Sequence, residues 1–262
     1  MSRFRLKNAF MLAALSMLSV VGYQASLAFA AGPVIELPAA DRAELEKELG
    51  TGIVGEALPS EPLGSLESYL PAKGSSMTYD VTENNKKKTE VHALQDTTDP
   101  TLSPGWHYSV QDVGGAFFQK ATDGSLQSIA EQDLSNKVLS RFSPGEPMIV
   151  PGLKAGESRK ENLQVAVYDL SDLKKVTHTG SLDVTYTYIG TYRVTVPAGS
   201  YDAALVRWDY AGKIGPADIK DSQYRFFAPG AGMVAMVQIR SISAMLIYND
   251  HTKQGKTLGR TQ

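Results

Sequence analysis

The chain has 262 residues, 26 of them basic and 28 acidic, and no cysteine. Without cysteine there are no disulfides, no cysteine nucleophile or metal site, and no cysteine for lipid attachment, so the fold must be held by its core. The charge balance offers no basic face for a nucleic-acid partner and no reason to expect binding to an anionic membrane surface.

Residues 1–30 read as a secretory signal peptide. Arg3, Arg5 and Lys7 form a positive segment, residues 9–21 are apolar apart from Ser16 and Ser19, and Ala28-Phe29-Ala30 has the small-x-small form of a cleavage site. The apolar run is shorter than the about 20 residues that a spanning helix needs. Cleavage near Ala30 predicts a periplasmic or secreted protein with no transmembrane segment after processing. It would carry 23 basic and 28 acidic residues, a net charge of −5.

Residues 31–68 differ in character from the rest of the chain. Asp41 and Glu44 have the spacing of a capping box and Gly50 supplies a stop, which predicts a short helix over 42–49. Gly52, Gly55, Pro59, Pro62 and Gly64 then read as loop, so this segment is expected to be a helix and a flexible arm.

An antiparallel β domain is predicted over 69–250, with 251–262 as a C-terminal tail. Residues 76–82 and 87–94 form a hairpin around Glu83-Asn84-Asn85, and 105–110 and 115–121 a second around a turn at 112–114. Asp123-Gly124 is a further turn, before another short strand. Residues 129–139 are weakly patterned as a helix, and 144–151 read as loop or edge. The strongest alternation runs over 163–247. It sets Leu182, Val184, Tyr186 and Tyr188, then Tyr192, Val194 and Val196, then Val206, Trp208 and Tyr210 on apolar faces of neighbouring strands. One polar face per strand means a sheet covered on one side. The fold class is therefore mainly β, a β-rich α+β protein built as a curved antiparallel sheet with a short N-terminal helix.

Three segments carry a resemblance. YLPAKGSSMTY over 69–79, VTVPAGSYDAALV over 194–206 and FFAPGAGMVAMV over 226–237 are similar, in order, to motifs of uncharacterised bacterial envelope proteins. The match departs at Met77, where those proteins usually have Trp. The resemblance implies a half-barrel sheet like those of lipoprotein carriers, with a concave face for acyl chains.

There is no Gly-x-Ser-x-Gly elbow, no His-Glu-x-x-His and no phosphate-cradling loop. His92, His107, His178 and His251 lack the spacing of a metal site and read as ordinary surface or edge histidines, and the acidic residues read as turn formers. No catalytic residue, metal ligand or cofactor is expected. The expected function is a non-enzymatic periplasmic protein that binds a hydrophobic small molecule or lipid, with Tyr186, Tyr188, Tyr192, Val194, Val206, Trp208 and Tyr210 lining the site. Tyrosine and tryptophan suit a site that is apolar inside and wet at its mouth. The alternative is a structural or assembly factor acting through contacts with an envelope protein, with residues 31–68 as its docking segment.

Overall fold

The computed structural model describes residues 32–97, 105–122, 125–244 and 248–261. The predicted signal peptide and the Asp123-Gly124 turn lie outside them. The elements are α1 (Ala39–Leu49), β1 (Val54–Leu58), α2 (Leu66–Tyr69), β2 (Ser76–Glu83), β3 (Lys86–Asp96), β4 (Trp106–Val110), β5 (Gly114–Lys120), β6 (Leu126–Asp133), β7 (Val138–Pro147), β8 (Ser158–Asp169), β9 (Asp172–Val196), β10 (Gly199–Ile214), β11 (Ala217–Ala228), β12 (Gly232–Ala244) and β13 (Tyr248–Thr261).

Each strand from β2 to β13 pairs antiparallel with its chain neighbours, β13 pairs with β2, and β8 pairs with β9, so twelve strands form a closed barrel. The extra strand β1 pairs with the end of β9. Closure corrects the expected half-barrel, and its cause is local. Residues 129–139, read as a helix, form the end of β6, a turn and the start of β7, and residues 251–261, read as a tail, belong to β13. β13 pairs β12 to β2 along its length; without it the sheet would end in two open edges.

The first hairpin matches its turn chemistry. Asn84 and Asn85 take φ of 46° and 65°, the left-handed pair that a two-residue hairpin turn requires. On β8 and β9, Leu163, Val165, Leu182, Val184 and Tyr186 are buried while Lys160, Asn162, Gln164 and Asp183 are exposed, which identifies the apolar face as the interior.

The segment before β2 contributes on both sides of the wall. α1 lies against the outside of β12 and β13, with Leu45 fully buried. It begins at Ala39, so Asp41 is not its cap. The Asp41 carboxylate instead accepts hydrogen bonds from Arg207 Nη1 at 2.9 Å and Tyr224 OH at 2.8 Å, tying the helix to β10 and β11. Gly255 is required there, because a Cβ at that position would lie 2.3 Å from the Glu48 carbonyl oxygen. At one end of the barrel, Leu63, Leu66 of α2 and residues 148–150 cluster with Tyr186, Tyr188 and Trp208 and form a floor.

Candidate functional site

Twelve strands enclose more room than the eight whose side chains just fill a barrel. Part of this interior is packed and part is hollow. The hollow part is a cavity of about 310 Å³ bounded by β3–β6, β11–β13 and the floor. Its floor is apolar, from Leu66, Leu70, Phe118, Met148 and Phe227. Its upper wall is polar, from His92, Glu131, Asp133, Gln223, Arg225, Gln238, Arg240, Gln254 and Lys256.

Register explains the polar wall. Gln223 lies opposite Gln238, Gln238 opposite Gln254, and Gln254 opposite Glu83, so one row across four strands is amide and carboxylate. Two residues along each of β11, β12 and β13 come Arg225, Arg240 and Lys256 on the same inward face, or on its continuation towards the other end.

Most of these groups hold one another. Lys256 Nζ donates to Glu90 Oε2 at 2.5 Å, Lys88 reaches Glu90 Oε1 at 3.1 Å, and His92 Nε2 lies 3.1 Å from Glu90 Oε2. Burial alone would raise the Glu90 pKa, but His92, Lys256 and Lys88 hold it well below the ordinary carboxylate range. His92 is 2% exposed, with Nδ1 2.9 Å from Tyr108 OH, so it is an interior residue and not the surface histidine expected. Burial lowers its pKa against the opposing pull of Glu90. Gln223 and Gln238 donate to Asp221 Oδ2 at 2.6 and 2.8 Å, and burial raises the Asp221 pKa despite them.

Two further carboxyls face inward from β6 and β7. Glu146 accepts hydrogen bonds from Tyr210 OH at 2.6 Å and Tyr186 OH at 3.4 Å. Burial, with Glu131 nearby, pushes its pKa up to about 7. Glu131 makes no hydrogen bond among the described residues. Its exposed surface belongs to the cavity, and burial within the barrel raises its pKa although Arg225 pulls the other way.

The seven residues expected to line a site are divided by the structure. Tyr186, Tyr188, Val206, Trp208 and Tyr210 face the interior in one cluster with the floor. Tyr192 and Val194 belong to a second cluster with Leu37, Leu45 and Val54 of the N-terminal segment. A bulge separates the groups: Val206 lies opposite Tyr188 and Leu205 opposite Gly190, so Ile189 is an extra residue and the facing of β9 reverses beyond it. None of the seven borders the cavity. Trp208 adjoins it through Arg225, whose guanidinium lies 4.0 Å above the indole ring. Sequence reading missed the polar wall because it sought apolar faces. The available signal was polar residues recurring two apart, as in Asp221-x-Gln223-x-Arg225 and Thr252-x-Gln254-x-Lys256.

The fold and cavity define an antiparallel β-barrel with an amphipathic, partly hollow lumen. No family model matches the chain, and no curated protein matches it. Among solved structures it is similar to a Bacteroides fragilis protein described as exported and of YmcC-like fold, at 15% identity and TM-score 0.44, covering 74% of this chain and 98% of that one. It is similar to a Parabacteroides distasonis protein described as a lipoprotein, at 14% identity and TM-score 0.36, covering 74% and 98%. A third is the hypothetical lipoprotein YmcC from Escherichia coli, at 8% identity and TM-score 0.37, covering 85% and 97%.

Proposed function

We propose that the chain is a non-enzymatic protein of the cell envelope, exported after loss of residues 1–30, that binds a hydrophobic, lipid-like ligand inside its barrel. The cavity of about 310 Å³ carries this reading, since it joins an apolar floor to a polar wall and is the size of a small-molecule site. The side chains of Tyr186, Tyr188, Trp208 and Tyr210 act as its packed backing, with Arg225 between Trp208 and the hollow. Among the described residues no helix is long and apolar enough to cross a membrane. The outward face of β8 and β9 carries Lys160, Asn162, Gln164 and Asp183, where a bilayer-spanning barrel would present an apolar band.

The test is binding of a dansyl-labelled fatty acid by the protein purified without detergent, compared with an Ala116→Phe variant. Ala116 borders the cavity, and a phenyl ring there occupies much of it. The expected result is probe binding by the native protein and loss of at least about tenfold in affinity, about 1.4 kcal/mol, in a variant that still melts cooperatively. No binding by the native protein, or equal binding by the folded variant, would overturn the lumen as the site.

A further inference from the structure

Three cations border the cavity: Arg225, Arg240 and Lys256. Lys256 is taken by Glu90. Arg240 Nη2 is taken by Asp250 at 3.2 Å, with Thr252 Oγ1 at 3.4 Å. Arg225 has no carboxylate within ion-pair distance among the described residues. Its Nε donates to Gln223 Oε1 at 3.0 Å, its Nη2 also donates to Gln223, and its Cζ lies over the Trp208 ring, 4.0 Å from the centroid. A guanidinium carries five N–H donors, so this arrangement fixes the plane of Arg225 and leaves donors unspent on its edge.

No carboxylate of the lining is bonded to Arg225 among the described residues. Asp133 is occupied by Ser135 Oγ at 2.7 Å and by Asn136 Nδ2 at 2.8 Å. Asp221 is held by Gln223 and Gln238. Glu131 borders the cavity without a hydrogen-bond partner among the described residues, and burial raises its pKa while Arg225 pulls it down. Of these three cations, Arg225 alone has no carboxylate partner among the described residues; it keeps unspent N–H donors at the polar wall, and the opposite end of the cavity is apolar.

We infer that the ligand of the lumen is a single-chain amphiphile with an anionic head, a carboxylate or phosphate, whose head is held by Arg225 while its chain lies against Phe118, Phe227 and Met148. This rests on the lumen reading above. The chemistry of the head follows from the donors available: a planar guanidinium offers two parallel N–H bonds to an oxyanion.

The experiment titrates the exported protein with decyl phosphate, decanol, decyltrimethylammonium and inorganic phosphate, each below any micelle concentration, reading Trp208 fluorescence and heat. Decyl phosphate should bind at least about tenfold more tightly than decanol and should perturb Trp208 emission through Arg225. Arg225→Gln should bring decyl phosphate down to the level of decanol, and Arg225→Lys should fall between. If decanol matches decyl phosphate, or the ammonium compound binds more tightly, the anionic head is refuted while the lumen reading survives. If inorganic phosphate binds as well as decyl phosphate, the site is for a free anion and the amphiphile is refuted. If none binds, the lumen reading itself fails. The native series needs no variant, so a poorly folding Arg225→Gln leaves the inference exposed to refutation.

Discussion

The two walls of the barrel are built from the same period-two strands and do opposite things. On β8–β10, Leu163, Val184, Tyr186 and Trp208 point inward and fill the interior. On β11–β13, Gln223, Arg225, Gln238, Gln254 and Lys256 point inward and border a hollow. A large barrel need not be filled evenly: apolar packing against the floor holds the shape, and the opposite wall can carry groups that a core would exclude. The polar wall is tolerated because Lys256 and His92 hold Glu90, and Gln223 and Gln238 donate to Asp221.

The sharpest test of this contrast is Trp208→Ala. Trp208 is 1% exposed and sits edge-on to Tyr186 and Tyr210, with ring centroids at 5.9 and 6.3 Å. Its truncation should cost about 3–5 kcal/mol in urea unfolding. A cost below about 1 kcal/mol would mean that this wall is not the packed one.

Glu146 sits where the walls meet, and its effect should be intermediate. Its native pKa, about 7, lies above its ordinary value of 4.5, so the folded protein binds the extra proton between those values. Its stabilising contribution is full below about pH 4.5 and is lost as pH rises through about 7, at no more than about 1.4 kcal/mol per pH unit. Glu146→Gln should flatten that part of the stability profile measured by thermal melts. A Gln variant with the wild-type slope would assign the titration to another group.

The smallest effect is expected at the rim of the hollow. Val113 borders the cavity and is 44% exposed, so Val113→Ala should change stability by less than about 0.5 kcal/mol. A loss of 2 kcal/mol there would show that the rim is closed and packed.

Legibility in the sequence divides along the same line. The hairpin of β2 and β3 and the long strands β9–β12 announce themselves, because each buries an apolar face and leaves a polar one in water. Gly190, which stands between two alternating runs, falls beside the register shift. The missed strands are β1, β13 and, within the β6–β7 hairpin, the part over 129–139. β13 turns Thr252, Gln254 and Lys256 inward, and β6 turns Glu131 inward, so neither shows apolar alternation. Hydrophobic periodicity is silent where the interior is polar. Without those strands, the count falls short of a ring and an open half-barrel is the natural expectation.

Read along the chain, the residues specify the antiparallel β character, several turns, the absence of any thiol chemistry, and a set of aromatic residues on buried faces. Closure, the side of the wall on which Tyr192 and Val194 lie, and the meeting of Arg225, Glu131 and Lys256 around one hollow emerge only from the folded barrel. The reason is physical: alternation is written in neighbouring residues, whereas the pairing of β13 with β2 and of β8 with β9, and one extra residue at Ile189, fix which faces look inward across the barrel.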